Sequence, residues 1–281
     1  WAVVLNGVFC FFFLFFFFVL RGMHVPQIYD DPKGQSISII QTLFTEMSGL
    51  FPDGVFDVGG DETGHTPPCS LNNTRSFEEK MIAYVTQDLG KKVMGWEELL
   101  FKTGAANATK STVIDSWARS NWNQAAARGY NTVVSNSADF YLDYKSTFSP
   151  ALWQDITGGC TNKTLVGLLL GGETSMWQDF YVPGARTKQA GSAHCLFDDS
   201  RDVDFHNSTL STIWPRAGVA GGSFWNYNDR LNGSSAVFEK VVKQITLRLM
   251  ERNVGACPCA TTTSIGCDQN NYCGHVWCPG G

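Results

Sequence analysis

Between Ser36 and Leu170 the chain alternates helix-like and strand-like segments. That alternation points to an α/β fold built on a parallel sheet covered by helices. From Ser36 to Phe51 the apolar residues Ile39, Ile40, Leu43, Met47 and Leu50 recur at helical spacing, and Pro52-Asp53-Gly54 then stops the helix and turns the chain. The short β-prone run Val55 to Val58 follows and leads directly into Gly59-Gly60-Asp61-Glu62. Next come a helix-like segment from Ser76 to Leu89, strand-like segments at Lys92 to Gly95 and Thr112 to Asp115, and a helix from Asn123 to Arg128. Strands are expected again at Asn131 to Ser135 and at Leu165 to Leu170. A stripe of Val237, Val241, Ile245, Leu247 and Met250 predicts a long closing helix from Gly233 to Arg252.

In a (β/α)8 TIM barrel of this kind the active site lies at the C-terminal ends of the strands. Polar and aromatic residues gather at those ends in this chain. Asp61-Glu62 closes the first strand candidate, Trp96-Glu97-Glu98 and Ser116-Trp117 close the next two, and Asp139 to Asp143, Glu173 and Trp177 close the later ones. Tryptophan, tyrosine and carboxylates together describe a sugar pocket, because pyranose rings offer apolar faces to aromatics and hydroxyls to carboxylates. A formal net charge of -5, with no long Lys/Arg run, excludes nucleic acid as the partner.

The chain has 9 cysteines, and Cys257, Cys259, Cys267, Cys273 and Cys278 crowd its end. Their spacings do not reproduce a paired CxxC zinc pattern, so disulfides are the expected use and no metal site is assigned. Glycosylation sequons stand at Asn72, Asn107, Asn162, Asn207 and Asn232. Cysteines and sequons together imply an oxidising compartment: the secretory pathway, with a lysosomal or extracellular destination. The apolar Phe-rich run from Trp1 to Leu20 ends at Arg21 and admits three readings: a signal-anchor, a short membrane span, or a mistranslated stretch. A membrane is a partner only if that run is a real anchor.

Five ordered blocks carry a resemblance. They are FPDGVFDVGGDET (Phe51 to Thr63), GWEE (Gly95 to Glu98), YLDY (Tyr141 to Tyr144), GGETSMW (Gly171 to Trp177) and WPRAG (Trp214 to Gly218). In these blocks the chain resembles family 20 glycoside hydrolases, the β-N-acetylhexosaminidases. The resemblance implies hydrolysis of terminal non-reducing N-acetylhexosamine from oligosaccharides or glycoconjugates by a retaining, substrate-assisted mechanism. It makes Glu62 the general acid/base and Asp61 the group that orients and stabilises the substrate's acetamido as an oxazolinium ion forms. Tyr141 would donate to the acetamido carbonyl. Glu62 is then expected protonated and Asp61 ionised, their environments pushing the two pKa values apart. By the same resemblance Trp96, Trp117 and Trp177 wall the sugar, Asp143 bonds a hydroxyl, and Asp179 stands where the family usually has Glu. No cofactor is implied, since the nucleophile belongs to the substrate. Dimerisation is frequent in the family, so a homodimer is the oligomer to look for.

The resemblance also marks departures. Asp57 occupies a position where the family commonly has His. The family reaches the Asp-Glu strand after three earlier barrel strands, so only about the second half of the barrel is expected here, from the catalytic strand onward. Cys69 corresponds to a cysteine bonded upstream of that strand, and Cys160 and Cys195 are candidates to bridge a loop. The expected organisation is an apolar segment at 1–21, a partial catalytic barrel at 22–252 and a Cys-rich tail at 253–281. A contrasting reading is an inactive glycan-binding or structural remnant that lacks the sugar-clamping strands. Glu97, Glu98 and Glu173 are expected to be structural, and Trp214 and Trp225 to be packing residues.

Overall fold

The computed structural model describes residues 2–5, 8–11, 33–62, 70–118, 122–142, 155–177, 213–225, 244–249 and 251–252. It falls into two compact units, Trp1–Val134 with Cys160–Gly171, and Ser135–Gly159 with Gly172–Gly281.

In the first unit β1 (Ala2–Leu5) and β2 (Val8–Phe11) form an antiparallel hairpin. The Phe-rich run therefore begins as strand. No helix among the described residues is long and apolar enough to cross a membrane. Helix α1 (Gln35–Leu50) begins after Gly34, whose φ of 66° sets the chain's entry into it. It buries Ile40 and Phe44, while Ile39 and Leu50 stay exposed at 66% and 65%. The core-facing stripe is thus displaced from the one expected, because Phe44 rather than Ile39 or Leu50 faces the sheet and packs on Phe56 at 4.8 Å.

A parallel ladder follows, with β3 (Val55–Asp57), β4 (Lys92–Trp96), β5 (Val113–Ser116), β6 (Asn131–Val134) and β7 (Leu169–Gly172) side by side in chain order. The pairs β3/β4, β4/β5 and β5/β6 are parallel. Sequential order matters: a doubly wound sheet reverses its strand order at a switch point, whereas a barrel adds each strand beside the last. The five strands show no reversal, as the expected partial TIM barrel requires.

Between strands lie α2 (Leu71–Ala83), a π-helical turn at Tyr84–Asp88, α3 (Glu98–Phe101), a 3-10 turn at Ala105–Ala108 and α4 (Trp122–Ala127). Helix α2 starts before the expected Ser76 because the Ser70 side chain accepts the Asn73 N–H at 3.2 Å and caps it. The expected strand Leu165 to Leu170 is corrected likewise. Asn162 caps the short helix α6 (Lys163–Val166), accepting from Thr164 and Leu165 N–H at 3.0 and 3.4 Å, so β7 starts only at Leu169. Helix α5 (Ser137–Phe140) precedes α6 in the chain and belongs to the second unit, as does α7 (Arg216–Trp225). Of the expected closing helix, residues 244–249 are helical.

Each face of the sheet carries an apolar cluster. Ile40, Phe44, Met81, Ile82, Val93, Leu99 and Ile114 pack on the helix side, and Met94, Val113 and Val133 pack on the other with Val55 and Leu170. Adjacent residues such as Val93 and Met94 split between the two clusters, as strand alternation demands. The second cluster is the inner, barrel-lumen face.

Gly95 lets β3 and β4 close up at their site-bearing ends. A Cβ there would stand 2.7 Å from the Gly59 carbonyl oxygen and would also strike the Leu99 side chain. That same Gly59 oxygen accepts the Trp96 N–H at 3.0 Å. Gly95→Ala is therefore expected to lower stability by about 1–3 kcal/mol. Urea midpoints would show this against Gly54→Ala, where a Cβ meets nothing within 4 Å. Equal midpoints for the two variants would rule out the clash.

Candidate active site

The first unit builds one cluster where β3, β4 and β5 end. Beyond β3 the chain makes a sharp turn through Gly59 (φ 71°) and Gly60 (φ 99°), and then through Asp61 to Glu62 at φ 50°. A left-handed conformation suits glycine but costs a residue such as Glu about 1–3 kcal/mol, so the surroundings must hold it. Gly60 is required for a second reason: a Cβ would lie 2.7 Å from Leu99 Cδ2.

Contacts from the ends of β3 and β4 fix this turn, and a residue past β5 joins them through Glu98. Asp57 Oδ1 accepts the Gly59 N–H at 2.8 Å, and the Gly59 carbonyl is held by Trp96. Glu98, the first residue of α3 just past β4, accepts the Glu62 backbone N–H at 3.3 Å. The same carboxylate accepts the Trp117 indole N–H, at 3.0 Å to Oε2 and 3.3 Å to Oε1. Trp117 follows β5 directly and is half-buried, and Trp96 at the end of β4 is buried. Asp61 and Glu62 themselves are exposed. Two carboxylates are thus offered to solvent at a strand end beside two tryptophans. Glu98 was expected to be only structural, and nothing in its sequence context marks the two bonds it makes.

Register sets the depth of the site. Asp57 pairs with Met94, and Trp96 with Asp115, so alternation puts Asp57, Trp96 and Asp115 on the lumen face with Met94. Burial of the Asp57 carboxyl pushes it up from 3.8 to about 7; the bond from Gly59 N–H opposes this and the nearby Asp61 charge adds to it. Asp61, although an exposed residue, has its carboxyl raised from 3.8 to about 6. Desolvation by the surrounding protein is the main cause; a backbone N–H pulls the other way, and the charges of Glu98 and then Glu62 push further up. The ionised state expected of Asp61 therefore holds above about pH 6.

These shifts carry a stability consequence. A carboxyl whose folded pKa is raised holds its proton at pH values where the unfolded chain has lost it. Its contribution is complete below about 3.8 and disappears as pH rises through about 7 for Asp57 and about 6 for Asp61. The wild-type urea midpoint should be higher at pH 5 than at pH 8. Asp57→Asn keeps an oxygen for the Gly59 N–H and removes the charge, so it should shrink that difference; an unchanged difference would rule Asp57 out as its source.

In the second unit Tyr141 and Trp177 come together. A parallel bridge joins Tyr141 to Ser175, supported by Leu142 N–H to Ser175 O at 2.8 Å and Ser175 N–H to Phe140 O at 3.2 Å. Tyr141 is buried, and its ring centroid lies 5.6 Å from that of Trp177. Phe140 points the other way, edge-on to Phe224 of α7 at 5.0 Å. Arg216 of α7 is buried and donates to the Leu142 carbonyl at 2.6 Å, pinning the residue that precedes Asp143. Sequence reasoning gave Arg216 no role, although it lies inside the WPRAG block. Trp225 is corrected from a packing residue, being 58% exposed at the end of α7. Asp143, Asp179, Cys69 and the Cys-rich tail lie outside the described residues. Cys160 is a free thiol, and its candidate partner Cys195 is also outside them. Among the described residues no three His, Cys, Asp or Glu side chains converge where a metal could sit.

The family model for the glycosyl hydrolase family 20 catalytic domain matches residues 23–228. Beta-hexosaminidase 1 of Arabidopsis thaliana is 23% identical over 248 residues, covering 80% of this chain and 40% of that protein. The beta-hexosaminidase subunit beta of Mus musculus is 23% identical over 260 residues, covering 83% of this chain and 42% of that protein. The chain thus spans well under half the length of these curated relatives. Among solved structures, a chitobiase from Flavobacterium johnsoniae superposes with a TM-score of 0.57 at 23% identity, covering 80% of this chain and 33% of that one. A β-N-acetylhexosaminidase from Bacteroides fragilis superposes with a TM-score of 0.57 at 16% identity, covering 84% and 48%. At such identities the structural likeness speaks to the barrel fold.

Proposed function

The chain belongs to glycosyl hydrolase family 20, and on that premise we propose that it carries the acid/base side of an exo-acting β-N-acetylhexosaminidase. The observation that carries this is the Asp61-Glu62 pair, presented to solvent on a glycine-shaped turn at the end of β3, with Trp96 and Trp117 at the ends of the next two strands.

Glu62 protonates the glycosidic oxygen as the bond to the anomeric carbon breaks. The substrate's acetamido oxygen attacks that carbon, and the positive charge of the resulting oxazolinium ion is offset by Asp61. Glu62, now a carboxylate, takes a proton from the water that opens the ring, which restores the acid and releases the sugar with retained configuration. The family resemblance assigns Tyr141 to the acetamido carbonyl, Trp96, Trp117 and Trp177 to the walls of the sugar, and Asp143 and Asp179 to its hydroxyls. The substrate class is a glycan or glycoconjugate ending in N-acetylhexosamine, and the working oligomer is a homodimer, a point sedimentation of the purified protein decides.

Hydrolysis of a chromogenic β-N-acetylglucosaminide tests the assignment, and replacing the N-acetyl by an N-trifluoroacetyl group tests the nucleophile. Fluorine withdraws electrons from the amide oxygen, so the rate should fall steeply; a rate indifferent to it would sink acetamido attack.

A secretory location is the reading that the exposed sequon residues Asn72, Asn107 and Asn162 support. Asn162 caps α6 through Oδ1, which leaves its nitrogen open to a glycan. Protein from a secretory host should lose mass on N-glycosidase treatment, and Asn72→Gln, Asn107→Gln and Asn162→Gln should each remove one step of that loss. Unchanged mass would count against this location.

A further inference from the structure

We propose that Glu98 is a positioning residue, whose single carboxylate ties the turn bearing Asp61 and Glu62 to the Trp117 wall. Its catalytic consequence rests on the hexosaminidase reading above; its geometry does not. One Glu98 oxygen, Oε1, accepts the Glu62 backbone N–H at 3.3 Å, while Oε2 accepts the Trp117 indole N–H at 3.0 Å. An ionised carboxylate has lone pairs enough for both donors, and bonds to a charged acceptor are the stronger kind.

The anchor is itself held rigidly. Glu98 opens α3, where its own carbonyl accepts the Lys102 and Thr103 N–H groups, both at 3.0 Å. The next residue, Leu99, is fully buried and is the side chain against which Gly60 and Gly95 are closed. Glu98 therefore stands on the best-packed part of the cluster and reaches to its two loosest parts, an exposed left-handed residue and a half-buried indole. The bland reading, a surface carboxylate satisfied by a nearby tryptophan, explains the indole bond alone. It leaves the second bond, to the backbone of the residue bearing the acid, as coincidence.

Glu98 is also a carboxylate whose charge raises Asp61, as does that of Glu62; Asp57, the other carboxyl at the turn, is itself raised by the Asp61 charge. Removing the Glu98 charge while keeping an acceptor should therefore make Asp61 easier to ionise, and the acidic limb of kcat/KM should move to lower pH. That shift reads the Glu98 charge, while the tie itself is read by the indole and amide signals and by the split between kcat and KM.

The experiment compares the wild-type chain with Glu98→Gln and Glu98→Ala by three readouts. Two need no activity. The Trp117 indole 15N–1H resonance, assigned with Trp117→Phe, should move upfield in Glu98→Ala, and the Glu62 amide should exchange faster with solvent. The third is kinetic: Glu98→Ala should lower kcat between about tenfold and 10²-fold through misplacement of the acid, with a smaller change in KM. Glu98→Gln should retain more of kcat and show the limb shift. An unmoved indole and unchanged amide exchange in a folded variant overturn the proposal whatever the activity. Moved resonances with unchanged kcat and pH limb overturn the positioning role. If the wild type fails to hydrolyse any N-acetylhexosaminide, the hexosaminidase reading falls with it, and the two spectroscopic readouts alone decide the tie.

Discussion

Glu62→Gln is expected to lower kcat for an unactivated β-N-acetylhexosaminide by about 10²–10⁴-fold, the range general acid/base catalysis supplies. The amide is nearly isosteric, so the turn should survive. The Glu62 N–H bonded to Glu98 and the glycines before it help to hold Glu62 at φ 50°, and neither involves its carboxyl. The loss should therefore be a loss of proton transfer rather than of fold. Leaving-group dependence separates the two. An alkoxide leaving group needs the proton as the bond breaks, whereas a nitrophenolate departs without it, so the deficit should shrink sharply on the activated substrate. A deficit of equal size on both substrates would mean that Glu62 holds the substrate and is not the acid.

The sequence disclosed the strands because they are buried on both faces. Val93-Met94, Val113-Ile114 and Val133-Val134 are short apolar runs that neither face leaves polar, and each was located to within a residue. It misplaced what short-range polar bonds decide. Leu165 and Val166 are as β-prone as Leu169, yet the Asn162 cap draws them into a helix, and Ser70 extends α2 in the same way. The stripe on α1 erred because a three-to-four residue period admits more than one face, and the choice between Ile39 and Phe44 is made by Phe56 across the sheet.

The site was legible in parts for a related reason. Asp61-Glu62 stands out because glycines and carboxylates interrupt an apolar strand, and tryptophans at successive strand ends stand out by position. Contacts between residues far apart in sequence carry no such mark. The Tyr141 to Ser175 bridge, the Arg216 bond to Leu142 and the two bonds of Glu98 exist only once the elements have packed. The family resemblance supplied Tyr141 and Trp177 as site residues, and the fold supplied the bridge that brings them side by side.

Asp61→Asn should cost about 10²–10³-fold in kcat, the size typical of losing one preorganised group aimed at developing charge. The cost arises where the acetamido oxygen attacks and its nitrogen gains positive charge: an amide in place of the carboxylate can still accept a hydrogen bond but offsets no charge. Because the interaction grows as the charge grows, the loss should fall on kcat far more than on KM. The pH profile gives an independent signature. With Asp61 raised to about 6 by desolvation and then by Glu98 and Glu62, the wild type should lose activity as pH falls through 6, since the protonated acid no longer offsets charge. In Asp61→Asn nothing titrates at that position, and the low residual rate should be flat through the same interval. Asp57, raised to about 7 on the lumen face behind the turn, stays in the variant and supplies the control. If the acidic limb persists near 6 in Asp61→Asn and vanishes in Asp57→Asn, the ionisation that governs the rate belongs to Asp57, and the role of charge partner passes from the turn to the strand beneath it.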